Sequence, residues 1–407
     1  MKRQVFKNIG HLLTLSGAFE KQGRRVQEKD LSIISKAAMV VENGNVIWVG
    51  AQKALPKSFV KNSKEMDLEG ATVLPGLVEC HTHSLFAGHR AAEFEMRQQG
   101  ISYQEIAKQG GGILSTMRET RKASAAQLQA LTQDRVHRFV RQGVTTLEIK
   151  SGYALDEKNE IKSLKVIQSL KGPRVLSTFL GAHALPPEFS STETYLEFLT
   201  GILPKIRKQT DRLDIWIEKG FFEQAPSRKY LDRAQELGFQ IVVHADQLSL
   251  SGGTELAVEF SALSADHVIQ IEEKQIELLA KSETTAVLLP MADLYMKCAY
   301  PPARRLINSG VRVALATDFN PGSCPSQDLA LVGLLARLEM KMTLPEVIAA
   351  YTVGASFALG LADKVGSLGL QKSADFFSID ADWTSLFYTA GGLQIEKSFL
   401  RGQQLFS

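Results

Sequence analysis

The stretch VLPGLVECHTHSLFAGHR, residues 73–90, decides the fold. It begins as an almost continuous apolar run, which is typical of a strand buried on both faces, and this run ends at His81 and His83. In an extended chain, residues i and i+2 point to the same side, so the two imidazoles face one point. The stretch therefore predicts a buried strand with a chelating pair of histidines at its C-terminal end.

Seven further apolar segments follow, and segments with helical periodicity lie between them. Alternating strands and helices favour a parallel sheet. With residues 73–83 as the first strand, eight strands predict an α/β fold, a (β/α)8 TIM barrel over residues 75–360. The seven segments are TTLEIKSG (from Thr145), RVLSTFLGAH (from Arg174), LDIWIEKGF (from Leu213), FQIVVHADQ (from Phe239), SADHVIQI (from Ser264), AVLLPMAD (from Ala286) and VRVALATDFN (from Val311).

Helices are predicted between these strands from the spacing of apolar residues. Thr343-Leu-Pro-Glu346 fits a capping box that opens one more helix. The predicted helices are 125–141, 160–170, 227–237, 253–260 and 327–340.

The two ends of the chain differ from the middle, because they contain short β-like runs separated by polar turns. Asn43-Gly44-Asn45 between two apolar stretches is a hairpin signal. We therefore expect residues 1–74 and 361–407 to form one small β-sandwich-like domain.

Composition excludes several classes of protein. The 407 residues are 44% hydrophobic and 22% charged, and no apolar run approaches the roughly 20 residues of a membrane span. The formal charge of +3 is too balanced to indicate nucleic-acid binding. Three widely spaced cysteines (Cys80, Cys298 and Cys324) form no disulfide framework. We expect a soluble cytoplasmic enzyme that acts on a small molecule, with neither nucleic acid nor membrane as a partner.

Histidines gather where a barrel enzyme keeps its active site, at the C-terminal ends of the strands. His81, His83, His183, His244 and His267 all lie at or near predicted strand ends. Asp318 ends the eighth predicted strand. Three imidazoles and one carboxylate suit a divalent ion such as Zn²⁺ or Fe²⁺ with one position left open for water. The alternative is a set of hydrogen-bonded core histidines, with Asp318 as a helix cap.

Residues 73–90 and several later motifs resemble the amidohydrolase superfamily over nearly the whole chain. These motifs are EIKSGYALD, FLGAHALP, HADQLS, SADH, ATDFNPGS and the closing pattern at 358–360, 366, 369 and 374–375. Three further motifs, at residues 88–90, 150–153 and 181–186, together resemble a narrower group within the superfamily. The resemblance implies a hydrolase of histidine degradation that opens the cyclic amide of 4-imidazolone-5-propanoate to N-formimidoyl-L-glutamate. The resemblance also implies one metal ion, held by His81, His83, His244 and Asp318, and a homodimer.

Arg90 is the candidate for the propanoate arm of that substrate, because a guanidinium binds a carboxylate in a planar, two-pronged manner. The alternative is a surface arginine paired with Glu93 or Glu95. Tyr153 would donate to the same arm or form a wall for the ring, unless it only covers the barrel core. His183 would hydrogen-bond the ring carbonyl, or else support another residue.

By resemblance, the loop after the last strand also contacts the ligand. Asn320 and Gly322 would touch substrate or product, and Ser323 the ring or its arm. A plain turn explains Pro321-Gly322 equally well.

Gln247 departs from the pattern of the superfamily's deaminases, which carry a proton-shuttling glutamate there. An amide orients substrate but cannot relay a proton. We therefore take Gln247 as substrate-binding and Asp318 as the proton acceptor. His267, which we expect to titrate near neutrality, would assist Asp318. Together with His183, which would bind the ring carbonyl, these two residues are the candidate catalytic residues.

Two other functions compete with ring hydrolysis: deamination of a heterocyclic amine, and a catalytically inactive scaffold of the same fold.

Two further features of the sequence have alternative interpretations. Lys219 lies where two-metal amidohydrolases carry a carbamylated lysine that bridges the ions. Gly110-Gly111-Gly112 resembles a phosphate cradle, but lacks the strand and the Gly-Lys-Ser/Thr of one, and is expected to form a loop over the pocket.

Overall fold

The computed structural model describes residues 3–101, 105–106 and 110–406, with the side chain of residue 406 left out. Its strands form two sheets of eight. The first sheet is built from both ends of the chain. Its strands are β1 (Arg3–Leu13), β2 (Ile33–Glu42), β3 (Asn45–Ala51), β4 (Lys64–Asp67), β5 (Thr72–Pro75), β14 (Phe376–Ile379), β15 (Lys397–Leu400) and β16 (Gln403–Phe406).

This small sheet has the order β16-β15-β14-β5-β1-β2-β3, and β4 pairs with β1. Three phenylalanines from β1, β14 and β15 pack in its core, with the rings of Phe376 and Phe399 stacked at 4.4 Å. The predicted hairpin is confirmed. Asn43 and Gly44 join β2 to β3 with φ of 54° and 87°, the left-handed pair that a two-residue turn requires.

The second sheet is the predicted barrel, and its eight strands follow one another in chain order and run parallel. Helices follow most of these strands. The strands are β6 (Leu77–Glu79), β7 (Val144–Lys150), β8 (Arg174–Ala182), β9 (Arg212–Ile217), β10 (Gln240–Ala245), β11 (Ser264–His267), β12 (Thr285–Leu288) and β13 (Val313–Leu315).

The first and last barrel strands meet beyond their ends, at the residues that carry the chemistry. The His83 N–H donates to the Phe319 carbonyl at 2.9 Å, and the Asp318 N–H donates to the His81 carbonyl at 3.2 Å. At the end of β6, the Glu79 carboxylate accepts the Thr317 N–H, two residues before these contacts in the chain. The barrel is thus nearly closed, and its seam passes through residues 81–83.

The prediction that residues 73–83 form one barrel strand is wrong. Gly76 divides them, so that β5 pairs with β14 in the small sheet while β6 begins the barrel. A Cβ on Gly76 would lie 2.1 Å from Oγ1 of Thr145, so only glycine lets the chain pass this close to β7.

The predicted helices are confirmed, with ends shifted by up to three residues, and Thr343 and Glu346 form the predicted capping box. No helix among the described residues has both the length and the apolar character needed to cross a bilayer. The α-helices are Ser16–Glu20, Lys57–Val60, Ala91–Gln98, Ile113–Lys122, Ala125–Val140, Glu157–Ser169, Thr192–Ile206, Gln224–Glu236, Gly253–Glu259, Glu273–Ala280, Pro290–Met296, Ala303–Ser309, Leu329–Leu338, Leu344–Ala349 and Ala355–Ala358, with a π-helical turn at Ala350–Gly354 and 3-10 turns at Glu28–Leu31, Gln52–Ala54 and Trp383–Ser385.

Candidate metal centre

Four side chains from three strand ends converge at the mouth of the barrel. The Nε2 atoms of His83 and His244 lie 3.4 Å apart, and Oδ1 of Asp318 lies 3.4 Å from Nε2 of His83 and 3.5 Å from Nε2 of His81. All four residues are buried. The structure thus brings the predicted ligands His81, His83, His244 and Asp318 together at one point.

The cluster fits a divalent cation. Nε2 of His81 is buried and makes no hydrogen bond within the described part of the chain, although a buried polar atom normally has a partner. The ligand atoms of the three histidines all lie within 4.8 Å of one another. Three nitrogen donors and a carboxylate oxygen are a set that Zn²⁺ or iron accepts.

Two aspartates orient these histidines. Oδ2 of Asp266 lies 2.6 Å from Nδ1 of His81, and Oδ2 of Asp214 lies 3.0 Å from Nδ1 of His244. A carboxylate that accepts the Nδ1 proton leaves the Nε2 lone pair for a metal, as in many metal sites.

Neither aspartate was predicted from the sequence, although a signal for each was present. Asp266 directly precedes His267, and Asp214 alternates with Trp216 along β9, which places both side chains on one face of the strand.

Protonation states at the cluster agree with metal binding for three of the four groups. Burial lowers the pKa of His83, and lowers that of His244 to about 3, so both are neutral at pH 7. Burial acts to raise the pKa of Asp318, but His81 and His83 outweigh it and hold that pKa well below its ordinary value. Burial likewise acts against the charge of His81, yet Asp266 and Asp318 raise its pKa to about 9. Binding a cation here would therefore release a proton from His81.

A cavity of about 500 Å³ opens above the cluster and is lined by most of the predicted site residues. His81 lies beneath it. The residues that line it are His83, Arg90, Ile113, Tyr153, His183, Trp216, His244, Gln247, Leu248, His267, Met296, Asp318, Asn320 and Ser323. Four of these were not predicted (Ile113, Trp216, Leu248 and Met296), because apolar walls have no chemical signature in a sequence.

Arg90 has features of both alternatives that the sequence left open, a substrate-binding arginine and an arginine paired with Glu93. Its Nε donates to Glu93 at 2.7 Å, as in the surface-pair alternative, but the residue is buried and lines the cavity. Oε1 of Glu93 in turn accepts hydrogen bonds at 3.0 Å from Gly112 N–H and Ser115 Oγ. The Gly110–Gly112 loop is thus connected to the arginine at the cavity wall.

We predict that Gly322→Ala impairs substrate binding. A Cβ at Gly322 would lie 2.1 Å from Nη1 of Arg90, so the guanidinium must shift. A displacement of this size is expected to lower kcat/KM by roughly 10²-fold, mainly through KM. Steady-state kinetics would measure the loss, with Gly201→Ala as control because a Cβ there has open space. Equal KM values for the two variants would contradict the prediction.

His183 differs from its predicted role as donor to a ring carbonyl. Its Nδ1 lies 2.9 Å from the Gly152 carbonyl, which can only accept, so the proton is on Nδ1. Burial holds the pKa of His183 well below its ordinary value, so the ring is neutral. Its Nε2 is therefore an acceptor, suited to a ring N–H and not to a ring carbonyl. Tyr153 packs against His183 with ring centroids 5.2 Å apart.

Asn320 lines the cavity, but its side chain holds the loop that follows β13. Oδ1 accepts the N–H groups of Gly322, Ser323 and Cys324, while Nδ2 donates to the Asp318 carbonyl and to Ser323 Oγ. The geometry favours Asn320 as support for residues 318–323.

His267 and Gln247, both candidate site residues, line the cavity. The expectation that His267 titrates near neutrality is wrong for the metal-free protein, because burial lowers its pKa to about 4. Lys219 is exposed, whereas the histidine cluster is buried, so the bridging-lysine alternative has no support from its position.

The fold and the site agree with the comparisons with known proteins. The family model described as "Amidohydrolase family" matches residues 72–405. The chain therefore belongs to the amidohydrolase family.

Within that family, the chain belongs with the imidazolonepropionases. It is 60% identical to the imidazolonepropionase of Bdellovibrio bacteriovorus, over 99% of this chain and 96% of that protein. It is 38% identical to the imidazolonepropionase of Porphyromonas gingivalis, with 98% and 97% covered.

Solved structures show the same fold at low identity. A triazine hydrolase from Arthrobacter aurescens superposes with a TM-score of 0.72 at 13% identity, covering 100% of this chain and 95% of that one. An adenosine deaminase from Xanthomonas campestris with bound zinc gives 0.71 at 16%, covering 99% and 92%.

Proposed function

We propose that this protein hydrolyses 4-imidazolone-5-propanoate to N-formimidoyl-L-glutamate. The observation that carries the proposal is a buried arginine, Arg90, in the wall of the cavity that opens above the His₃Asp cluster. A cation at the wall suits an anionic arm, and the cluster below suits hydrolysis of a cyclic amide. The 60% identity to an imidazolonepropionase supports the same substrate.

His81, His83, His244 and Asp318 would hold one divalent ion, Zn²⁺ or iron. When bound, such an ion lowers the pKa of a water molecule toward about 7 and polarises the substrate carbonyl. The buried Nε2 of His81, which makes no hydrogen bond within the described residues and faces Oδ1 of Asp318 at 3.5 Å, supports this ligand set.

Asp318 is the proposed proton acceptor. Its Oδ1 faces His81 and His83, so Oδ2 is the oxygen left to take a proton from the attacking water. Water adds to the ring carbonyl carbon, the C–N bond of the ring breaks, and the proton passes to the departing ring nitrogen. Gln247 cannot carry that proton, and His267, which is neutral at pH 7, would assist Asp318 by hydrogen bonding.

The propanoate arm would pair with Arg90, and Tyr153 would form a wall beside the ring. His183 would accept a ring N–H through Nε2, because its Nδ1 proton is bonded to Gly152. Gln247, Gly322 and Ser323 complete the proposed substrate contacts, with Asn320 holding their loop.

The test is turnover of enzymatically generated 4-imidazolone-5-propanoate by protein with and without its metal. We expect a chelator to abolish formation of N-formimidoyl-L-glutamate, and Zn²⁺ or Fe²⁺ to restore it. Equal rates in both samples would contradict metal-dependent hydrolysis. Ammonia release from aminated heterocycles, with no turnover of the imidazolone, would favour the deaminase alternative.

We also propose that the enzyme is a cytoplasmic homodimer, as its resemblance implies. Its three cysteines are free, which is consistent with a reducing compartment. Light scattering would test the dimer by a solution mass of twice 44.8 kDa.

A further inference from the structure

Lys150 is a buried cation that the proposed mechanism does not use. It ends β7, and its ammonium lies 2.9 Å from Asp214, 3.1 Å from Glu148 and 3.9 Å from Asp266. All four side chains are at most 1% exposed. Burying an ammonium is costly unless it is paired, so its place among three carboxylates indicates a defined role.

Two of these carboxylates are the ones that orient metal ligands. Oδ1 of Asp214 hydrogen-bonds Nδ1 of His244 at 3.1 Å, and Oδ2, the oxygen that meets Lys150, lies 3.0 Å from the same nitrogen. For Asp266 the shared atom is again Oδ2, which lies 2.6 Å from Nδ1 of His81.

The third carboxylate connects Lys150 to the seam of the barrel. Oε1 of Glu148 accepts from Lys150, while Oε2 accepts the backbone N–H of Thr82 at 3.2 Å. The N–H of Lys150 donates to the Thr82 carbonyl at 2.9 Å. Thr82 lies between the proposed ligands His81 and His83. Lys150 therefore contacts groups that hold all three histidine ligands: Asp266 for His81, Asp214 for His244, and Glu148 with Thr82 for the segment that carries His83.

We infer that Lys150 is a positioning residue for the metal centre: its ammonium holds the two carboxylates that orient the ligands His81 and His244. This inference rests on the proposed ligand set and not on the identity of the substrate. Without the ammonium, three carboxylates would repel one another in a buried space. They would then rotate away from one another and no longer hold the Nδ1–H groups of the histidines in place.

Charge at the cluster supports the inference. Burial acts to lower the pKa of Lys150, but Asp214, Glu148 and Asp266 outweigh it and raise that pKa well above its ordinary value. One ammonium against three carboxylates leaves a local excess of negative charge beneath a site that suits a divalent cation.

The experiment is a zinc-affinity measurement on the full-length protein. Metal-free Lys150→Met, which removes the charge and keeps the length of the side chain, is titrated with Zn²⁺ against a chromogenic chelator. We expect Kd to rise by about 10- to 100-fold, the usual cost of losing an outer partner of a metal ligand. Lys372→Met is the control, because Lys372 is also buried but bonds the Ala362 carbonyl, away from the cluster; its Kd should be unchanged.

A double-mutant cycle with Asp266→Asn separates positioning from a general effect on folding. If Lys150 acts through Asp266, the loss of zinc affinity in the double variant is smaller than the product of the two single losses. An unchanged Kd in Lys150→Met, with only a lower Tm, would overturn the inference, as would losses that multiply. Should Lys150→Met fail to fold, Lys150→Gln is titrated in its place, and an unchanged Kd there has the same meaning.

Discussion

Asp318→Asn is expected to lower kcat by about 10³-fold, within the range for losing a general base. The amide is similar in shape but cannot take a proton from the attacking water. The carboxylate is ionised at neutral pH, since His81 and His83 hold its pKa well below the ordinary value. Single-turnover rates and metal content must be measured together, because an amide oxygen is also a weaker ligand for the ion.

Asp30→Asn is the matched control for Asp318→Asn. Asp30 is also a buried aspartate, but it lies on the 3-10 turn Glu28–Leu31, where it pairs with Lys21, and it does not line the cavity. We expect this control to keep nearly all of the turnover. An Asp318→Asn enzyme that retains its metal and turns over at a near-normal rate would exclude Asp318 as the proton acceptor.

Loss of Arg90 is the second change with a large expected effect. Arg90→Met leaves the substrate carboxylate without its partner in a buried cavity, which costs about 2–5 kcal/mol. This corresponds to a loss in kcat/KM of about 30- to 4,000-fold. Arg90→Lys keeps the charge but loses the two-pronged geometry, so its loss should lie between those of wild type and Arg90→Met.

Arg97→Lys is the comparison for Arg90→Lys, because Arg97 reaches the same loop through the Gly322 carbonyl but does not line the cavity. A substrate analogue with its propanoate converted to an amide adds a second readout. Wild type should discriminate strongly against this analogue, whereas Arg90→Met should hardly discriminate at all. A greater loss from Arg97→Lys than from Arg90→Lys would assign the carboxylate to Arg97 instead.

The barrel could be predicted from sequence because each buried parallel strand is a short apolar run with a helix or loop after it. The C-terminal ends of those strands then place His81, His244 and Asp318 at one face of the barrel. The division at Gly76 was not predictable, since it depends on contact with Thr145 on the neighbouring strand, 69 positions further along the chain.

Within the site, what escaped prediction was pairing between strands. Lys150, Asp214 and Asp266 come from three different strands, and only the closed barrel shows that their charges meet. The tautomer of His183 was missed for a similar reason, because it is set by the backbone carbonyl of Gly152. Residue types could be read from the sequence, but their mutual orientation could not.

The seam between the first and last barrel strands has a consequence for how the enzyme is assembled. Backbone hydrogen bonds join His81 to Asp318 and His83 to Phe319. Three of the proposed metal ligands therefore also form the contact that closes the barrel. Closing the barrel therefore brings these three ligands together without a separate rearrangement of the chain, and a change that loosens this contact also displaces the ligands.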